Sequence, residues 1–293
     1  MPVAHSLLSK RGKPDLVGRE KENDERVPIM IEGIYISASG MLPKSTRQEA
    51  LANNMANAEV PGFKKDNMFL REMQEAKKRL SGDYAEWRIN RFEGLWTDLE
   101  QGNLRFTGDM FDLALTERGF FAVRTPSGIE YTRNGNFNKN GEGVLTTPLG
   151  YPVLDENGAE IAIPENFQVP IIDSEGIVRG RDEQTGEEQE IARLQVSDFP
   201  DLYDPVVKAQ SPYNAPLKKS PTGYFIAEPN ALKVAASEAV ISQGFLEESN
   251  VNPVIEMVKM IDIFRSYEAD QKALQVQDST LDRAVNDVGV VRR

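Results

Sequence analysis

No cysteine occurs anywhere in the 293 residues, which removes disulfide frameworks, zinc–thiolate sites and thiol nucleophiles. Histidine is almost as scarce. The single one, His5, lies in a polar N-terminal stretch, so Ser-His-Asp chemistry and imidazole metal sites lack the residues they need. No window reaches the roughly 18 consecutive apolar residues of a membrane helix, and insertion into a membrane is not expected. The run VAHSLL near the start is too short for the apolar centre of a cleaved secretory signal, and no small-residue cleavage site follows it. Export, if it occurs, uses another route. Positive charge is in deficit as well: a net charge of −12 leaves no basic footprint for nucleic acid or an anionic membrane. No phosphate loop or dinucleotide fingerprint is present, and no carboxylate pair stands out for hydrolytic work. Catalytic residues, metal ligands and cofactors are therefore all expected to be none.

What is present falls into distinct textures. Residues 1–29 are polar and of mixed charge without an apolar period, which reads as a disordered extension; Met30 opens a different texture and is an alternative start of translation. From Ile31 the apolar residues Ile31, Ile34, Tyr35, Ala38, Met41 and Leu42, then Leu51, Ala52, Met55 and Ala56, recur at spacings of three and four, the mark of a helix with one apolar face. Pro43 sits inside it, where it either kinks the helix or starts a new one. Pro61-Gly62 ends it near Asn57. Between Leu95 and Leu246 short β-branched and aromatic runs such as LALT, GFFAVRT and IAIP alternate with Asn134-Gly135, Asn140-Gly141 and Asn157-Gly158, which points to hairpins with type I′ turns. The stretches SPYNAPLKKSPTGY (211–224) and RDEQTGEEQE (181–190) read as solvated loops. The expected segments are 1–29, an N-terminal helix and connector over 30–75, a β-rich domain over 76–244, and a C-terminal helix over 245–293.

That last helix has a heptad pattern. Met260, Tyr267, Leu274, Leu281 and Val288 are seven apart, and a flanking row runs Met257, Phe264, Gln271, Asp278, Val285. Such rows describe a seam that wants a partner helix, with polar interruptions at Gln271 and Asp278. Asn252-Pro253 suits the entry and Gly289 the exit. At 1.5 Å per residue a helix of about 38 residues spans roughly 57 Å, longer than a compact β domain of this size. Helices of this kind at both ends call for packing partners beyond the chain's own core, so self-assembly is expected.

Three stretches resemble one family. GIYISASGM (33–41) with ALANNMANAEVPGFKKD (50–66) is similar to the N-terminal motif of the bacterial flagellar axial proteins of rod, hook and hook-associated type. Residues 99–154, LEQGNLRFTGDMFDLALTERGFFAVRTPSGIEYTRNGNFNKNGEGVLTTPLGYPVL, resemble the β-rich segment that rod and hook proteins share, and 241–289 resemble their C-terminal helix motif. The modest length between motifs fits the basal-body rod type (FlgF/FlgG) better than the longer hook protein, and PGFK with QDSTLDRAVNDVG leans towards the proximal-rod, FlgF type. The resemblance implies an α+β fold, a mostly-β central domain whose long N- and C-terminal helices pair into an axial helical layer. It implies a non-enzymatic subunit of the hollow drive shaft between motor and hook. Its partners would be copies of itself and other flagellar rod or hook subunits, and the flagellar type III export apparatus would carry it to the periplasm. The rivals are a hook or hook-associated protein, an exported cell-wall-active enzyme, and a soluble β-rich binding module.

The residues expected at subunit contacts are Ile34, Met41, Leu51, Asn53, Asn54, Met55 and Asn57 on the first helix, Asn250 and Asn252 before the last, and Met257, Met260, Phe264, Tyr267, Leu274, Leu281, Val285 and Val288 along it. Asn53, Asn54 and Asn57 have two readings: they stop the helix, or some bond to the C-terminal helix or a neighbouring subunit and fix register. The SNVNP run (249–253) is either a turn with a helix cap or a device that sets the angle of the last helix. Arg133 is placed to reach a carboxylate.

Overall fold

The computed structural model describes residues 26–73, 89–164, 167–182, 188–203, 216–236 and 238–289. Two long helices bracket a β-rich region: α1, Arg26–Ala56, and α2, Pro253–Gly289. The chain divides into two compact units. One holds the described part of α1 through Leu42 with Arg265 onward of α2, and the other runs Pro43–Phe264. Helix α1 begins at Arg26, upstream of Met30, and continues through Pro43, so no new helix starts there. It ends where Pro61-Gly62 required. The covered face of its last turns is Ala50, Leu51 and Asn54, while Leu42 and Ala52 are exposed.

The first strand, Asp66–Met73, starts before the boundary expected at 76 and pairs antiparallel with Ile89–Thr97. The main sheet has six strands, in the order Leu217–Lys219, Phe225–Ala227, Gly128–Thr132, Phe120–Thr125, Val196–Asp198, Val234–Ala235. Its central strand carries apolar residues on both faces because both are covered. Phe121 and Val123 enter one core with Leu113, Phe137 and Leu145, and Phe120 and Ala122 enter another with Tyr131, Phe199 and Phe225. Edge-on aromatic contacts join Phe120 to Phe199 and Phe225, and Phe121 to Phe137, the geometry ring quadrupoles favour. A three-stranded sheet, Glu188–Arg193, Ile177–Asp182, Phe167–Ile172, lies beside these. The two ends of the carboxylate-rich run read as a loop, 181–182 and 188–190, are thus paired strand residues; its centre, 183–187, lies outside the described residues. Likewise Leu217–Lys219 is a strand inside the run read as a loop, of which 211–215 lie outside the described residues.

The hairpins are real but their turns differ from expectation. In Asn140–Gly143, Thr147–Gly150, Asp155–Gly158, Asp173–Gly176 and Ser220–Gly223 the fourth residue donates its N–H to the carbonyl of the first, at 2.8–3.0 Å. The first residue in turn donates to the carbonyl of the fifth, as Asp155 does to Ala159 at 2.9 Å. These are type I turns closed by a residue in the left-handed region, and that residue is always glycine, with φ between 76° and 86°. An Asn-Gly pair matters here only where its glycine is the fourth residue, as Gly158 is. Asn134-Gly135 is no turn of this kind: Gly135 is needed because a Cβ there would lie 1.7 Å from the Leu113 carbonyl oxygen.

Candidate assembly interface

The last two strands of the β region pair with strands from its first half. Leu104–Phe106 pairs with Phe245–Glu247, and Leu113–Thr116 pairs with Val240–Gln243. This brings the turn after α1 against the segment that leads into α2. Gly62 is the point of closest approach: its N–H donates to the Glu247 carbonyl at 2.7 Å, its φ is +68°, and a Cβ would sit 2.4 Å from the Arg133 carbonyl carbon. Pro61-Gly62 therefore does more than stop a helix. Only glycine lets the backbones meet there.

Beneath that contact three charges are buried. The Glu247 carboxylate, fully covered, accepts from Lys64 Nζ at 2.5 Å and from the Gly102 N–H at 3.0 Å on one oxygen, and from Arg133 Nη1 at 3.4 Å on the other. Lys64 also donates to the Glu100 carbonyl at 2.7 Å. Arg133 reaches the carbonyls of Leu115 and Glu117. Glu117 is the one non-glycine residue with positive φ among the described residues, and its carbonyl is held by that guanidinium. Burial pushes the Lys64 ammonium below its ordinary pKa, and the facing Glu247 carboxylate opposes the shift. Lys219 is lowered in the same way, with Asp66 opposing; it donates to Asp66 Oδ2 at 2.8 Å and lies over the Phe63 ring. Each buried charge has a partner and further hydrogen bonds, the condition under which such groups are tolerated.

The asparagines divide between the two readings. Asn54 is buried and makes a two-way bond with the Asp66 backbone, donating to its carbonyl and accepting from its N–H, both at 2.8 Å. It also donates to Glu256 of α2 at 3.4 Å, so one of the three does bond to the C-terminal helix, inside the same chain. Asn57 donates back to the Asn53 carbonyl at 2.9 Å, and Asn53 is exposed. Asn250 joins three loops, accepting from the Lys65 N–H at 2.8 Å and donating to the carbonyls of Asp98 and Glu100. Asn252 caps α2, its Oδ1 accepting from the N–H groups of Val254 and Ile255 at 3.1 and 3.2 Å. The Lys64–Glu247–Arg133 cluster and Glu256 carry no sequence period. The sequence offered Lys64 within PGFK and Arg133 as a residue able to reach a carboxylate, but it named neither Glu247 as the partner nor Glu256.

Along α2 the half-buried row is Met260, Tyr267, Leu274 and Leu281, as the heptads predict. Its companion row is Glu256, Ile263, Asp270 and Gln277, all covered or half-covered, not the flanking row read from the sequence. Met257 and Phe264 of that flanking row are exposed, and with Val254, Val258 and Ile261 they form an apolar stripe on α2, each member 45–64% exposed. Leu51 and Asn54 are covered by the chain itself, Met41 and Met55 are half-buried. The side chains of Ile34, Val285 and Val288 lie outside the described residues. No helix among the described residues is long and apolar enough to cross a membrane.

Three comparisons bear on this arrangement. Residues 34–64 match the family described as flagella basal body rod protein, 114–180 match the flagellar hook protein FlgE/F/G D1 domain, and 242–287 match the flagellar basal body rod FlgEFG protein C-terminal segment. The flagellar basal-body rod protein FlgF of Caulobacter vibrioides is 31% identical over 84% of this chain and 93% of its own. This chain belongs to the flagellar basal-body rod protein family. FlgF of Mesorhizobium japonicum is 28% identical over 89% of the chain and 99% of its own length. FlgG of Borreliella burgdorferi is 30% identical over 88% and 98%. In this rod protein the matched N- and C-terminal segments supply Asn54, Lys64, Glu247, Asn250 and Glu256 to the polar junction, and the segment that matches the D1 domain supplies Arg133.

Proposed function

We propose that the protein works as a structural subunit of the flagellar basal-body rod, one of the subunits that build the shaft carrying torque from motor to hook. It works without catalysis, by presenting α2 and the end of α1 to neighbouring rod or hook subunits. The observation that carries this reading is the apolar stripe Val254, Met257, Val258, Ile261 and Phe264, left uncovered by the chain although burial of each residue is worth about 1.5–3 kcal/mol. Such a patch on an otherwise charged chain marks an association surface. The buried polar junction supports it from within, since a shaft that transmits torque needs the roots of its helices fixed to the β region. Contacts at Met41, Asn53, Met55, Asn57, Met257 and Phe264 belong to this proposal. So do export through the flagellar type III apparatus, a periplasmic position and the proximal, FlgF-like place in the rod.

Peptide mass spectrometry of purified hook–basal-body complexes tests the reading. Peptides of this chain in amounts near those of the other rod subunits are expected. Their absence from complexes that hold the other rod proteins overturns it and makes a transient assembly factor the better account.

A further inference from the structure

We propose that Asn140 is a site of spontaneous deamidation, selected by its turn from the three Asn-Gly pairs. The chemistry is intramolecular. The Gly141 backbone nitrogen attacks Cγ of Asn140, the side-chain amide leaves as ammonia, and a cyclic imide forms. Water then opens the imide at one carbonyl or the other, leaving aspartate or isoaspartate at 140.

Two features separate Asn140 from the rest. Its Oδ1 accepts two backbone N–H groups, from Glu142 and Val144, both at 2.9 Å. Negative charge develops on that oxygen when Cγ is attacked, so the pair acts as an oxyanion hole built into the turn. The nucleophile is free: Gly141 is exposed, an added Cβ would meet nothing within 4 Å, and its N–H donates to no group among the described residues. The other two pairs lack this combination. At Asn157 no backbone N–H bonds to the side-chain oxygen among the described residues, and the Gly158 nitrogen is engaged with the Asp155 carbonyl at 2.9 Å. At Asn134 the following Gly135 is buried and wedged against the Leu113 carbonyl, which denies the backbone the movement that ring closure needs.

The turn also accommodates one product. Asp155 and Asp173 open sister turns of the same build, and each caps two N–H groups through one carboxylate oxygen, at 2.7–3.0 Å. Aspartate at 140 reproduces them. Isoaspartate inserts a methylene into the main chain and breaks the pairing of Asn140 with Val144.

Ageing of the purified full-length chain at mildly alkaline pH, followed by peptide mapping that separates aspartate from isoaspartate, tests this. Conversion at 140 about tenfold or more faster than at 134 or 157 is expected, well within what fixed oxyanion donors contribute. In urea the three pairs become equivalent and the ranking collapses. Gly141→Ala, whose φ lies outside the left-handed region and whose Cβ has open space, should keep the wild-type melting curve and bring conversion at 140 down to the level of the other two. Asn140→Asp should melt as the wild type does. Equal or faster conversion at 134 or 157 in the folded chain overturns the proposal. So does a ranking that persists in urea, or a Gly141→Ala variant that converts as fast as the parent.

Discussion

Within the unit that runs Pro43–Phe264, two surfaces lie close in sequence and treat water in opposite ways. The junction around Glu247 takes three charges out of solvent and pairs them, whereas the first turns of α2, starting six residues later at Pro253, put Val254, Met257, Val258, Ile261 and Phe264 into it. A lone globular domain gains from neither arrangement. Buried ion pairs add little net stability compared with apolar packing, but losing one partner is costly, so their value lies in excluding other geometries. Exposed apolar side chains gain only when something covers them. The pairing of the two makes sense for a subunit whose shape must be fixed before it is joined to others.

Each side of this comparison can be broken separately. The largest effect is expected on assembly: Val258→Asp with Ile261→Asp should abolish incorporation into the rod, read from purified basal bodies, while changing unfolding free energy by no more than about 0.5 kcal/mol per site. Glu247→Ala should do the reverse. It strands Lys64 and Arg133 and is expected to cost about 3–5 kcal/mol in urea melts, with assembly lost only because the fold is. Asn54→Ala leaves the Asp66 backbone groups without their partner and should cost about 1–3 kcal/mol, whereas Asn53→Ala, exposed and one residue away, should be neutral in the isolated subunit. Asn252→Ala removes the α2 cap at a cost of about 1 kcal/mol, visible as lost helicity before global unfolding.

The smallest effect is a slope. Burial holds the Tyr224 phenol above its ordinary value of 10.0. Above that pH the unfolded chain releases the proton first, so stability falls as pH rises further. Tyr224→Phe should flatten that fall and leave the curve below pH 10.0 unchanged in shape.

Much of the fold was legible because it rests on periodicity and punctuation. The 3–4 spacing placed α1 and α2, GFFAVRT read as a β run and forms the strand Phe120–Thr125, and Pro61-Gly62 placed the helix end. Turn type was not legible. Asn-Gly at 134, 140 and 157 is the same dipeptide three times, yet only at 157 does its glycine close a hairpin turn, because the position within the turn depends on strand register. The companion row of α2 failed for a related reason: Glu256, Asp270 and Gln277 are polar, and a hydrophobic pattern passes over them.

By itself the sequence determined the two long helices, the β character of the region between them, the lack of any thiol, and the family, since these follow from composition and local order. Only the tertiary structure decided that Lys64 meets Glu247 and that Asn54 meets Asp66 and Glu256. It also decided that Gly62 must be glycine and that the Met257–Phe264 face stays uncovered. Those contacts join residues up to 202 positions apart. What brings them together is the pairing of the last strands with Leu104–Phe106 and Leu113–Thr116, and strand pairing is a property of the folded chain that no local stretch encodes.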